Sequence, residues 1–321
     1  MAQHFLLSAK ARTLSLKTIY RMDEDQAYEA FCAIRWHGTD GEAVCPRCGC
    51  VDSYKITTRR KHKCKACHHQ FSVTSGTIFA SRKMEFVDLL AAICLFVNSV
   101  KGISALQLSR DLDCQYKTAF VLSHKIREAM ASEVHTGEQL EDHVEVDGAY
   151  FGGHIRPANY VENRVDRRLK KYQTGKRRVV VVLRERTGRT LPFVTLSEAD
   201  GVALAKKHVS RDATMSADEA THWDVLHARW KTDRINHSKA YSHNGACTNQ
   251  AESFFSRLRR MVSGQHHFVS PKYLHQYANN AAWLEDNRRN SNGENAHGLL
   301  ECALLSPVSR QWKGYWQRAV V

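Results

Sequence analysis

The chain has 321 residues, with 47 Lys and Arg against 33 Asp and Glu, a formal net charge of +14 and a pI near 9.4. An apolar content of 43% supports a packed core and excludes disorder throughout, and the length suggests about two domains. The longest apolar stretch, residues 89–97, falls far short of the roughly 20 residues that cross a bilayer, and the positive excess suits a polyanion better than a neutral small substrate.

The N-terminal segment is mixed and basic, without the apolar core or cleavage site of a signal peptide. A cytoplasmic location is therefore expected, where structural disulfides are rare. Residues 23–37 place Ala27, Phe31 and Ile34 at helical spacing. Next comes Cys45-Pro-Arg-Cys48, and after fifteen intervening residues Cys64-Lys-Ala-Cys67. Two CxxC turns at this separation are the pattern of a four-thiolate Zn²⁺ site, because each turn aims two sulfurs at one point and Zn²⁺ takes four soft ligands in a tetrahedron. Short strands over 53–56, 62–64 and 70–73 complete a zinc ribbon. Cys50 would break the knuckle geometry and is left out of the ligand set. Cys32, Cys94, Cys114, Cys247 and Cys302 are read as small buried hydrophobes. His62, His68 and His69 are read as surface residues, and the run of Arg59, Arg60, Lys61, Lys63 and Lys65 is a candidate nucleic-acid face.

A strongly apolar helix follows over 86–100, then two helices over 104–112 and 115–131 joined by a tight turn, with Ser104 as an N-cap. This arrangement fits a helix-turn-helix. Its second helix bears Tyr116, Lys117, Thr118, His124, Lys125 and Arg127, side chains suited to groove and phosphate contacts. The alternative is a small structural helical bundle.

From residue 142 the pattern becomes α/β. Strands are predicted over 143–151, 178–183, 190–196 and 213–218, with a short fifth over 234–237. Helices are predicted over 199–208, 251–261 and 273–287. Beyond Ser291 the only signal read is an apolar patch over 299–305. The unbroken apolar run of residues 179–183 points to a strand buried on both faces. Between the first two strands lies a basic stretch with Arg164, Arg167, Arg168, Lys170, Lys171, Lys176 and Arg177. It reads as a solvated loop able to fold onto a phosphate backbone.

Three acids stand out by position: Asp147 within the first of these strands, Asp218 at the end of the fourth, and Glu252 at the start of a helix. Phosphodiester chemistry needs an activated nucleophile and a stabilised leaving oxygen, and two hard cations held by converging carboxylates supply both. Spacing leaves rivals. Asp142 and Glu145 lie near Asp147, and Glu145 shares its face of the strand. Asp200, Asp212, Glu219 and Asp224 compete with Asp218.

These residues carry a resemblance. Cys45-Pro-Arg-Cys48-Gly49, Val146-Asp147-Gly148, Asn236-His237-Ser238-Lys239, the stretch from Thr248 through Asn249 and Glu252 to Arg260, and His267-Phe-Val-Ser-Pro271 resemble bacterial insertion-sequence transposases of the zinc-ribbon DDE type, the ISXO-two-like group. The resemblance covers about residues 20–290. It implies a zinc ribbon with its leading helix over 20–80, a helix-turn-helix module over 81–135, an RNase H-like mixed-sheet catalytic domain over 140–290 and a C-terminal tail over 291–321. It implies dependence on Mg²⁺ (or Mn²⁺), cutting and joining at the terminal inverted repeats of the element and at target DNA, and a homo-oligomer in the active complex. It implies Asp147, Asp218 and Glu252 as catalytic acids, with Asn249 a second candidate for the third place. Arg259 is expected on phosphate, and His237 is as well explained by packing as by DNA contact. The rival readings are a zinc-ribbon regulator without catalysis and a metal-dependent nuclease.

Overall fold

The computed structural model describes residues 5–153, 156–166, 169–172, 175–236, 242, 245 and 247–318. The chain forms two compact units. One comprises the residues up to Glu133 together with those from Asn287 onward, and the other is Val134–Asp286. No helix among the described residues is long and apolar enough to cross a membrane.

The first unit begins with a single helical turn α1 (Leu16–Ile19) and helix α2 (Glu24–Arg35). Asp23 and Gln26 close a reciprocal capping box that starts α2. Its buried face presents Phe31, whose ring meets those of Phe86 and Phe79 at 4.8 and 6.1 Å. The ribbon follows as a three-stranded antiparallel sheet, β1 (Ser53–Ile56), β2 (Lys61–Cys64) and β3 (Gln70–Phe71). β2 alternates strictly, with Lys61 and Lys63 outward and His62 and Cys64 inward.

That alternation corrects the reading of His62 as a surface residue. Its ring stacks on Phe71 at 5.5 Å, meets Trp36 edge-on, and lies 3.3 Å from both the Tyr28 and Ser53 hydroxyls. Burial pulls its pKa down, so it serves as a neutral packing group.

Three helices come next: α3 (Phe86–Asn98), α4 (Ala105–Asp111) and α5 (Tyr116–Val134). Ser104 caps α4 by accepting from the Gln107 N–H. α3 has no cap from its own Glu85. Instead the Glu24 carboxylate, from α2, accepts the N–H groups of Phe86 and Val87 at 2.7 and 3.2 Å. The C-terminal segment returns to this unit as α9 (Asn292–Leu305).

The second unit carries a five-stranded mixed sheet: β4 (His143–Phe151), β5 (Arg178–Glu185), β6 (Thr190–Thr195), β7 (Thr214–Asp218) and β8 (Lys231–Ile235). Their spatial order is β6-β5-β4-β7-β8. The first three strands form an antiparallel meander, and β7 and β8 add in parallel to β4. The apolar run of β5 is buried from Val179 to Leu183, as its composition demands. β8 starts earlier than the sequence suggests and ends at Ile235. Helix α6 (Asp200–His208) links β6 to β7. Helices α7 (Asn249–Arg260) and α8 (Leu274–Asp286) complete the unit. α8 is held to the sheet by Asp286, which accepts from the Thr190 N–H and hydroxyl and from Arg184.

Helix α9 (Asn292–Leu305) then packs in the first unit against α2 and α3. Its start is written locally: Ser291 and Glu294 form a capping box, a Ser-x-x-Glu signature readable in the sequence. Beyond it, Trp312 is buried and stacks on His124 of α5 at 4.2 Å.

Candidate catalytic and metal centres

The four ribbon cysteines converge. Their sulfurs all lie within 4.8 Å of one another, with Cys45 3.6 Å from Cys67 and Cys48 3.5 Å from Cys64. The two knuckles repeat one geometry. The Gly49 N–H donates to the Cys45 carbonyl at 2.9 Å and the His68 N–H to the Cys64 carbonyl at 3.1 Å. Both Gly49 and His68 are left-handed, at φ 72° and 57°. The Cys67 N–H points at the Cys64 sulfur and pulls that thiol's pKa down. Cys50 stays outside the group, and its sulfur faces the Asp52 carbonyl. Four thiolates in so small a volume fit a tetrahedral Zn²⁺, which would crosslink a fold that has little core of its own.

On the second unit's sheet, Asp147 and Asp218 occupy neighbouring strands. β4 and β7 run parallel with Val146 opposite Ala217, so the next residue of each strand, Asp147 and Asp218, stands at the same level. Burial raises the Asp147 pKa to about 7. The Gly148 N–H, which donates to its Oδ1 at 2.7 Å, opposes that rise, and the charges of Asp218, Glu198 and Glu252 add to it. The charges of Asp218 and Glu252, the other two acids of the set, thus both act on Asp147. Their oxygens are spread more widely than the sulfurs of the ribbon, the group within 4.8 Å among the described residues.

The turn after Asp218 is braced by Arg234, which donates to the Asp218 and Ala220 carbonyls at 2.6 and 2.8 Å and pairs with Asp224 at 2.7 Å. Asp224 is thereby engaged on the bracing guanidinium, and Glu219 is engaged by the Asn236 amide. Asp200 accepts the Ser197 N–H at the entrance to α6. Asn249 and Glu252 both lie in the first turn of α7 and are exposed. At a separation of three they share a helix face.

Glu145, which sequence geometry could not separate from Asp147, has a different environment. It is fully buried, pairs with Arg186 at 3.2 Å, and accepts the N–H groups of Gln250 and Ala251 at 2.8 and 3.1 Å. Its oxygens face α7, Arg186 and the Cys247 thiol.

Glu198 was not anticipated. It precedes α6, and its side chain lies across Gly148: a β-carbon there would fall 2.4 Å from the Glu198 Cγ. Burial and the Asp218 charge raise its pKa, while Arg177 opposes the rise. His222 lies 3.7 Å from it and also feels Asp218. The one available signal was Gly148 itself, since a glycine inside a strand marks a close approach by another group.

The DNA-contact candidates divide. Lys117, Lys171 and Arg259 are exposed, and Lys125 is half-buried with its pKa lowered by desolvation. Arg127 is corrected. It is 1% exposed, donates to the Ile103 carbonyl at 2.9 Å and lies over the Phe96 ring, so its charge is used inside the helical core. His124 is likewise buried, beneath Trp312. The amphipathic pattern of α5 could not show that a C-terminal aromatic segment covers this part of the helix. Arg167, Arg168 and His237 lie outside the described residues, as does the side chain of Lys170.

Residues 139–286 match the ISXO2-like transposase domain, and residues 22–70 match the transposase zinc-ribbon domain. No curated protein matches the chain, and no solved structure does.

Proposed function

The chain belongs to the zinc-ribbon ISXO2-like transposases, and from that premise we propose that it cuts DNA at the terminal inverted repeats of its own insertion sequence and joins the freed ends to target DNA. The carrying observation is the placement of Asp147 and Asp218 level on adjacent parallel strands, with Asp147 raised to about 7 by burial and by neighbouring carboxylates. The sheet order, a three-stranded meander extended by two parallel strands, supports an RNase H-like reading of the catalytic unit.

In this reading Asp147, Asp218 and Glu252 hold Mg²⁺ or Mn²⁺. Their donor set fits, because hard cations take carboxylate oxygens and keep several waters. When bound, the cation pair supplies an activated water or 3′-hydroxyl and stabilises the leaving oxygen. The protein's own contribution is positional. Rigid strands fix two acids, and the first turn of α7 brings Glu252, with Asn249 on the same face as a second candidate ligand. Burial makes the ionised Asp147 costly, so it gains most from a cation.

DNA affinity is assigned to the ribbon's basic face, to α4 and α5 read as a helix-turn-helix with Lys117 exposed and Lys125 half-buried, and to Lys171 and Arg259. Arg167, Arg168 and Lys170 extend the basic set by sequence. Assembly of more than one copy on the paired ends is part of the same proposal.

The test is strand transfer by the zinc-loaded protein on the element's own ends, wild type against Asp147→Asn. Loss of both cleavage and joining in the variant is expected. Undiminished joining would overturn the assignment. Cleavage without joining by the wild type would make it a nuclease, and binding without cleavage a regulator.

A further inference from the structure

We propose that Glu145 is a positioning residue of the catalytic unit: its buried carboxylate, paired with Arg186, caps helix α7 from the neighbouring strand and so fixes where Glu252 stands relative to Asp147. The inference rests on the reading of Asp147, Asp218 and Glu252 as the metal-binding acids.

The argument starts from the first turn of α7. A helix leaves its first N–H groups without intrahelical partners, and an N-cap side chain ordinarily accepts from the second and third helical residues. The N-cap of α7 is Thr248, whose side chain makes no such bond. The second and third helical residues are Gln250 and Ala251, and Oε2 of Glu145 accepts both N–H groups, at 2.8 and 3.1 Å. A residue of β4 therefore does what the helix's own cap does not, and brings a full negative charge to the positive end of the helix.

The pairing with Arg186 extends this link. The guanidinium donates to Glu145 at 3.2 Å, to the Gly245 carbonyl at 2.7 Å and to the Cys247 sulfur at 3.1 Å, and lies 3.4 Å from the Ser216 hydroxyl. Ser216 is on β7, two residues before Asp218, and Glu145 is on β4, two residues before Asp147. Glu252 follows Ala251 directly. One ion pair thus ties together the three elements that carry the three acids, each within two residues of its acid.

Apolar packing alone would hold α7 on the sheet, through Ala251, Phe254, Phe255 and Leu258. Such packing is non-directional and fixes the helix's axial position less sharply than hydrogen bonds do. Two directional bonds to a carboxylate set that position. A buried ion pair adds little net stability over apolar packing, and its best-attested use is to fix register. The Glu24 carboxylate capping α3 uses the same chemistry in the first unit.

The experiment uses the full-length, zinc-loaded protein and three readouts: Mn²⁺ binding followed by electron paramagnetic resonance, amide hydrogen exchange across α7, and thermal melting. Glu145→Gln keeps the side chain's length and one acceptor but removes the charge. We expect it to melt below the wild type, because Arg186 loses its charge partner, yet to stay folded at the assay temperature, where it should weaken Mn²⁺ binding about 10-fold or more, the scale seen when groups behind metal ligands are lost, and speed exchange at Gln250 and Ala251 while the rest of α7 is unchanged. Glu145→Asp, which keeps the charge on a shorter arm, is expected to fall between Gln and wild type. Wild-type Mn²⁺ affinity in Glu145→Gln, or exchange quickened evenly along α7, would overturn the proposal. Asp147→Asn separates the two claims. If it binds Mn²⁺ like the wild type, the catalytic reading fails. If it abolishes binding while Glu145→Gln does not weaken it, the positioning role fails and the catalytic reading stands.

Discussion

Replacing Asp147 with Asn is expected to stabilise the protein, and by an amount that depends on pH. The carboxyl is raised from 3.8 to about 7 by burial and by the charges of Asp218, Glu198 and Glu252. Between those values the folded state holds a proton that the unfolded chain has released, so stability falls as pH rises through this window and the whole loss is in place above pH 7. A rise of about 3 units at about 1.4 kcal/mol each gives up to about 4 kcal/mol. Asn is neutral at every pH, nearly the same size, and keeps an oxygen to accept the Gly148 N–H that now reaches Oδ1 at 2.7 Å. The variant should match the wild type near pH 4, gain progressively, and level off above pH 7. At 2–4 °C per kcal/mol for a domain of this size, the advantage at pH 8 is on the order of 10 °C. Scanning calorimetry of zinc-loaded protein without added Mg²⁺ measures it. Added Mg²⁺ should then raise the wild-type melting temperature and leave that of the variant unchanged. A variant less stable than the wild type at pH 8, or a difference constant from pH 4 to 8, would refute the electrostatic account of Asp147.

Three further outcomes are expected. Atomic absorption should find one Zn²⁺ per chain, and Ser at any one of Cys45, Cys48, Cys64 or Cys67 should remove it and expose the ribbon to proteolysis. Arg127→Met and Lys117→Ala should separate core from surface. The first should cost roughly 2–4 kcal/mol in urea unfolding, mainly through the orphaned Ile103 carbonyl and disturbed packing, and leave the salt slope of DNA binding intact. The second should leave stability alone and reduce that slope by about 1. Glu198→Gln removes one of the charges acting on Asp147, so the midpoint of the pH profile described above should move to lower pH. An unmoved midpoint would place the Glu198 charge too far away to matter.

The features legible in the sequence were those that depend on near neighbours along the chain. Two CxxC turns define four zinc ligands because each turn closes within a few residues. Ser104 and Asp23 announce helix starts, and the unbroken run of residues 179–183 announces a strand buried on both faces. The order Asp147, Asp218, Glu252 pointed to the acids through motif resemblance. Periodicity reports which face of an element is apolar, however, not what covers it. Glu145 and Asp147 share one face of β4, and only the arrival of α7 turns the first into a helix cap and leaves the second among carboxylates. Arg127 and Lys117 lie on the same basic helix, and only the fold around α5 places one inside and the other in solvent. Glu198 reached the acids because α6 begins where Gly148 leaves room. In each case the sequence by itself determined the chemistry a side chain could offer, and tertiary structure decided its use, because desolvation and charge pairing depend on partners distant in the chain.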